Sequence, residues 1–200
     1  RLSQSGNAIE YGTFLTTSNG SQGGGIAVDA AGQIYVTGAA TGSSFPTTAS
    51  AYSQAFVGIS SVFVTRLAPD ADISLVYSTF LGGSASQSGS AIAVDDQGNA
   101  YVTGTTLSTG GAALFPTRSS VAAPPVQATP ANGTRHAFVA KIDTNASGEA
   151  SLVYSTFLGG SKEENGTAGD GGIAVDASGQ AVVVGSTSSI DFPVTAEAFQ

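Results

Sequence analysis

Three aspartates at equivalent points of the chain form the most regular set of side chains that could bind a ligand. Asp29, Asp95 and Asp176 each follow the residues Ile-Ala-Val and precede a glycine by three positions. Carboxylate oxygens suit Ca²⁺, and three of them around one mouth of a channel would make a calcium or polar-ligand site. An aspartate at this spacing also caps a tight turn by accepting backbone N–H groups. We favour hairpin capping and keep calcium binding as the alternative.

A second calcium candidate is the segment "DTNASGEA" at 143–150, which resembles the start of a calcium-binding loop. Asp143 and Asn145 occupy alternating positions, and a serine and a glycine follow. The glutamate that such loops place at the twelfth position is missing, because Tyr154 stands there. The corresponding loop "PDADIS" at 69–74 lacks the glycine. We favour a hairpin loop, with Asp143 and Asn145 as the calcium candidates.

Residues for catalysis are scarce, and we predict no catalytic residues and no enzymatic activity. His136 is the single histidine, and its place next to a predicted strand favours a surface or turn position over a general base. No G-x-S-x-G motif is present. A glycosidase or polysaccharide lyase would need paired carboxylates or a His/Tyr/Arg set in one pocket. The sequence offers no such set.

Composition excludes several classes of partner. The formal net charge is -8 and charged residues make up 10% of the 200 residues, so a basic surface for nucleic acid is not expected. No apolar run is long enough to span a membrane. The absence of cysteine excludes disulfides and leaves the compartment undecided. The charged stretch 161–172 reads as a solvated loop.

Long internal repeats govern the fold. "VYSTFLGGS" occurs at 76–84 and 153–161, with a weaker copy, "EYGTFLTTS", from Glu10. "GGIAVDAAGQIYVTG" matches "SAIAVDDQGNAYVTG" and "GGIAVDASGQAVVVG", and "SVFVTRL" matches "HAFVAKI". These segments divide the chain into units of approximately 9–75, 76–152 and 153–200. Each complete unit holds four short runs rich in valine, isoleucine, tyrosine, phenylalanine and threonine, which are typical of strands.

Several four-stranded antiparallel repeats in a row predict an all-β fold, a β-propeller of about three repeat units. "DFPVTAEAFQ", "AFVAKID", "SLVYSTFLGGS" and "GGIAVDASGQAVVVGST" resemble the units of the SBBP family of seven-bladed β-propeller repeats. The resemblance implies a propeller in secreted or cell-surface proteins, mostly bacterial, and it implies no catalytic residues. "LTTSNGSQ" at 15–22 departs from the family's "LGGS", and the second unit carries a long insertion.

The strand count predicts an incomplete ring. By analogy with related propellers, the Ile-Ala-Val strands lie innermost and the "VYSTFL" strands outermost. The chain then supplies an outer strand at Glu10–Leu15, two complete blades, and two strands of a third. We therefore expect either a fragment of a longer polypeptide or copies that associate, with exposed edges at both ends.

Three further expectations concern particular residues. Phe14, Phe80, Phe157, Val64 and Val139 should be buried. The insertion at 124–133 should be a surface excursion without regular structure, whose removal hardly changes stability. Further blades of the parent chain, or other copies of the chain, should cover the exposed edges.

The repeats favour a non-enzymatic propeller module that acts as a scaffold, adhesin or assembly element. The SBBP resemblance implies that the module is extracellular or on the cell surface. The alternatives are a carbohydrate-binding propeller and the non-catalytic part of a larger secreted polysaccharide-active enzyme. We expect a surface glycan or a protein as the ligand. We expect no cofactor, with calcium as the alternative. The lack of tryptophan weighs against sugar binding.

Overall fold

The computed structural model describes residues 1–69, 74–108, 114–119, 125–130, 135–166 and 171–199. Strands dominate this part of the chain, and one short 3₁₀ turn at Gly148–Ser151 is present. The strands are β1 (Ser21–Val28), β2 (Ile34–Ala40), β3 (Ser61–Leu67), β4 (Leu75–Leu81), β5 (Gln87–Val94), β6 (Asn99–Thr106), β7 (His136–Asp143), β8 (Leu152–Leu158), β9 (Gly172–Val175) and β10 (Ala181–Val184).

The strands form two four-stranded antiparallel sheets and one antiparallel pair. The sheets have the orders β1-β2-β3-β4 and β5-β6-β7-β8, and β9 pairs with β10. The predicted all-β fold with four-stranded blades is therefore confirmed, as an incomplete, open arrangement. We call the two sheets and the pair blade 1, blade 2 and blade 3. Within the described residues, no helix is long and apolar enough to cross a membrane.

The Ile-Ala-Val strands lie side by side at the inner edge of the stack. Strand β5 packs against β1 and β2 on one side and against β9 on the other. The backbones approach so closely that glycine is required: a Cβ added to Gly24 would lie 2.0 Å from the carbonyl oxygen of Gly89. A Cβ on Gly89 would lie 2.2 Å from Oγ1 of Thr37. Gly24 and Gly89 therefore set the distance between blades 1 and 2.

The main core lies between blades 1 and 2. The pleated geometry of a strand places alternate side chains on opposite faces of the sheet. Each blade therefore presents one apolar face to each neighbour. Tyr77, Val64 and Leu81 of blade 1 meet Phe138 and Phe157 of blade 2 in one fully buried cluster. A smaller cluster of Ala40, Phe45, Phe63 and Phe80 covers the outer part of the other face of blade 1.

The expected burial of four residues is confirmed and that of the fifth is wrong. Phe80, Phe157, Val64 and Val139 are buried, but Phe14 is 91% exposed.

The expected strand at Glu10–Leu15 is not formed either, and only an isolated bridge between Leu2 and Ile9 lies nearby. The copies of this motif, β4 and β8, each pair with the third strand of their own blade. The described residues contain no third strand that could pair with residues 10–15, so the motif has no sheet to join.

Two other expectations concern His136 and the insertion. His136 is not a surface or turn residue: it opens β7 and is fully buried. The insertion is described at 125–130, where the expected lack of strand and helix is confirmed. It is nevertheless attached to β8, because Gln127 N–H donates to Thr156 Oγ1 at 2.8 Å and Phe157 N–H donates to Gln127 O at 3.1 Å. Removing the segment would break these bonds, and the expected small effect on stability stays a prediction.

Replacing Phe80 with alanine should destabilise the protein far more than the same change at Phe14. The two residues occupy the same place in the repeated motif, but Phe80 is fully buried. Truncating a buried phenylalanine costs about 3–5 kcal/mol, whereas an exposed substitution costs within about 0.5 kcal/mol. Urea unfolding of both variants checks this difference. Equal losses would show that residues 10–15 are packed in solution.

Candidate functional site

The three aspartates after the innermost strands cap their own hairpins. Asp29 Oδ1 accepts the N–H groups of Ala31 and Gln33, both at 2.9 Å. Asp95 and Asp176 make the same pair of bonds to the second and fourth residues after them. The interpretation of these residues as hairpin caps is confirmed.

The hydrogen bonds lower the pKa of two of these carboxyl groups. Burial acts to raise the pKa of Asp95, but the hydrogen bonds from Asn99 and Tyr101 outweigh it, so the net shift is downward. The side-chain hydrogen bond from Ser178 lowers the pKa of Asp176, which is fully exposed. Both groups are therefore carboxylates at neutral pH and act as acceptors for their hairpins.

A tyrosine joins the hairpin of blade 2 to that of blade 3. Tyr101 donates to Asp95 Oδ2 at 2.9 Å and lies 3.2 Å from the carbonyl oxygen of Gly179. Lys141 Nζ lies 4.8 Å from the centre of the Tyr101 ring and 3.6 Å from Asp95 Oδ2. Burial, followed by the hydrogen bond to Asp95, raises the pKa of Tyr101, so the hydroxyl remains a donor. We call this set a tyrosine joint.

The same joint connects blades 1 and 2, with arginine in place of lysine. Tyr35 donates to Asp29 Oδ2 at 3.1 Å, and the guanidinium carbon of Arg66 lies 5.6 Å from the Tyr35 ring centre. Arg66 also donates to Asn145 Oδ1 at 2.7 Å, and the Asn145 side-chain amide donates to Gln97 O at 2.9 Å. In blade 3, valine stands at position 182 where the other units have tyrosine, so the joint cannot be repeated there.

The structure brings two of the five calcium candidates together: Asp95 and Asp176 line one cleft of about 250 Å³ between blades 2 and 3, which Lys141 also lines. Asp29, Asp95 and Asp176 belong to separate hairpins, and in the described parts of the chain no three His, Asp or Glu side chains are grouped for a metal ion. Asp143 Oδ1 accepts the N–H of Asn145 at 2.9 Å. The oxygen of Asn145 faces Arg66. These oxygens are therefore engaged within and between the blades.

The linker between blades 2 and 3 holds a buried glutamate that the sequence analysis did not predict, because the charged stretch 161–172 favours a solvated loop. Glu164 is 1% exposed, and its Oε1 accepts the Gly160 N–H at 2.8 Å and the Ser189 hydroxyl at 2.5 Å. Gln87 holds the equivalent place between blades 1 and 2 and bonds to the same two positions of its own unit. Alignment of Glu164 with Gln87 was the signal that could have revealed it. The fully buried His136 lies beside the same linker.

Both ends of the stack expose apolar side chains at positions of the repeat that are buried where one blade covers the next. Ile26 is 68% exposed on β1, whereas its counterpart Ile92 on β5 is 7% exposed. At the other end, Val182 and Val184 of β10 are 63% and 69% exposed.

A groove lies beside blade 3. It has a volume of about 410 Å³ and is lined mainly by apolar groups, including Val139, Tyr154 and Leu158 of blade 2 and Val183 of β10. The counterparts of Tyr154 and Val139 in blade 1, Tyr77 and Val64, are fully buried by blade 2. The groove therefore occupies the place that the third and outer strands of a complete third blade would fill.

Stacked four-stranded sheets joined at their hairpins define a repeat protein built from β-propeller blades. Residues 76–111 match the SBBP family model, a beta-propeller repeat. The resemblance found in the sequence is confirmed over this segment, which runs from the outer strand of blade 1 through β6. No curated protein matches the chain.

Replacing Asp95 with asparagine should reduce the dependence of stability on pH in acid. The folded state lowers the pKa of Asp95, so its contribution is present above the unfolded pKa of about 4 and is lost as pH falls through the folded value. Urea unfolding at pH 7 and at pH 3 should show a smaller difference for the variant than for the wild type. Asp96→Asn, which changes an exposed neighbouring carboxyl group, is the control. The same pH dependence in all three proteins would contradict the role of Asp95.

Proposed function

We propose that the chain is a non-enzymatic β-propeller module, extracellular or on the cell surface, that acts as a scaffold, adhesin or assembly element. Its open faces are covered by further blades of a parent chain or by another copy. The module works through blade-to-blade contact and loop presentation on a rigid frame. It requires no cofactor for this role.

The observation that carries the proposal is the contrast between equivalent residues at covered and open faces. Ile92 is 7% exposed between blades 1 and 2, and Ile26 is 68% exposed at the open end. The unfilled groove beside β10 and the exposed Val182 and Val184 repeat the contrast at the other end. Unpaired strand edges and apolar faces of this kind favour association with matching strands.

The absence of a catalytic role is supported by how the polar residues are used. The hairpin carboxylates accept backbone N–H groups, and Asp95 also holds Tyr101 and Lys141. His136, the single histidine, is fully buried. Such groups serve the joints between blades. The proposed location outside the cell is supported by the resemblance to SBBP repeats, which implies secreted or cell-surface proteins.

Sedimentation velocity over a range of protein concentrations tests the association. The chain should form larger species as its concentration rises, because each apolar face is removed from water by contact with another copy. Ile26→Ser and Val182→Ser should each reduce the association, since they place a hydroxyl on one open face. Ile59→Ser changes a side chain that is 71% exposed but lies outside the strands, so it is the matched control.

A monodisperse monomer at every concentration, with cooperative melting, would overturn the proposal. Association that Ile59→Ser reduces as much as Ile26→Ser would show that general surface hydrophobicity is responsible. A head-to-tail contact leaves one face free at each step. Open-ended growth therefore indicates a filament, and a limiting size indicates a closed ring.

A further inference from the structure

A cleft of about 450 Å³ lies between blades 1 and 2, at the end of the blades opposite the aspartate hairpins. It is formed where β1 and β5 begin and β2 and β6 end. Both blades are complete, so the cleft does not depend on the covering of the open faces. The volume lies within the range of small-molecule sites in proteins, about 300–1,000 Å³.

Most of the described residues that line the cleft carry a neutral hydroxyl or amide side chain, while carbon atoms make up the larger part of the lining surface. Asn19, Gln22, Ser60, Ser86 and Thr105 contribute side chains of this kind. Apolar contact is supplied by Ala39 and Leu107. Neutral hydroxyls and amides donate and accept hydrogen bonds in several directions, which suits a ligand that carries several hydroxyl groups.

One cation completes the cleft, and no acidic residue is among the described residues that line it. Arg135 precedes β7, and its Nε is buried without an acceptor in the described part of the chain. Because the Nε itself is buried, a ligand in the cleft would be met by the terminal N–H groups of the half-buried side chain. A carboxylate is the acceptor that fits the planar guanidinium. The chain is acidic overall, but charges beyond about 8 Å are screened at physiological salt, so the local cation decides the preference.

The floor of the cleft is fixed by a clip between the two blades. Ser60 Oγ donates to Gln87 O at 2.9 Å, and Gln87 N–H donates to Ser60 O at 3.2 Å. The Gln87 side chain is held in turn by Gly83 and Ser108. These bonds hold the two walls at a constant separation, so little ordering is required when a ligand binds.

We propose that this cleft binds an acidic saccharide, with the carboxylate of a uronic acid paired to Arg135. The sugar hydroxyls bond to the serine, threonine and amide groups, and a C–H face of the ring packs on Leu107. This site goes beyond the proposed scaffold function, because it assigns a ligand to the joint between two complete blades. An acidic peptide offers the same carboxylate, but the many neutral hydroxyls of the lining favour a saccharide.

Titration calorimetry of the full 200-residue chain with trigalacturonic acid tests the proposal, with galactotriose as the neutral control. Trigalacturonic acid should bind saturably and at least about tenfold more tightly, because charge-assisted hydrogen bonds to arginine are stronger than neutral ones. A tetraglutamate peptide tests the competing source of carboxylate. It should bind more weakly than the trisaccharide.

Two variants locate the binding. Arg135→Gln should reduce the affinity for trigalacturonic acid to that for galactotriose. Gln22→Glu places a carboxylate on an exposed strand residue of the cleft, and it should weaken binding by at least about threefold through repulsion. Arg118→Gln is the matched control, because Arg118 is also half-buried but lines the groove beside blade 3. It should change affinity by less than about twofold.

Melting temperatures of the variants separate binding from folding. If Arg135→Gln does not fold, Gln22→Glu still decides the matter. No saturable binding of trigalacturonic acid up to about 10 mM would overturn the proposal. Equal affinity for galactotriose or for tetraglutamate would also overturn it, as would binding that neither cleft variant weakens.

Discussion

The close backbone contact of the innermost strands is the constraint on which the rest of the structure depends. Because Gly24 lies against the carbonyl of Gly89, the sheets stand near enough for one blade's aromatic residues to fill the face of the next. The same distance lets Tyr101 reach the hairpin of blade 3 and Arg66 reach Asn145. A larger side chain at Gly24 or Gly89 would separate blades 1 and 2 and break the joint between them.

The two ends of the blades use polar groups in different ways. At the hairpin end, Asp29, Asp95 and Asp176 accept backbone N–H groups of their own hairpins, and Asp95 also binds Tyr101 and Lys141. At the opposite end, Arg135 has an Nε without an acceptor among the described residues, and it lines a cleft with several hydroxyl and amide side chains. The hairpin end therefore holds the blades together, and the opposite end is where we propose a ligand binds.

Strand order and hairpin chemistry could be predicted because they depend on local sequence. The spacing of Asp29 and its glycine specifies a turn wherever it occurs. Phe80 and Phe157 are buried because each lies on the outer strand of a complete four-stranded blade. Phe14 carries the same motif, but burial needs a partner strand, which a motif does not encode. The burial of His136 and Glu164 and the cleft at Arg135 come from contacts between distant segments, which periodicity does not reveal.

The sequence repeat and the sheet are out of step with each other. The unit that begins at Val76 starts with a strand of blade 1 and continues with the inner strands of blade 2. Duplication of such a unit during evolution would copy the linker together with strands from both sheets. Each new copy would therefore bring the connection between two neighbouring blades with it. Arrays of such repeats can therefore lengthen one unit at a time while keeping the same contacts between blades. Later substitutions, such as valine at position 182 in place of tyrosine, can then make one unit different from the others.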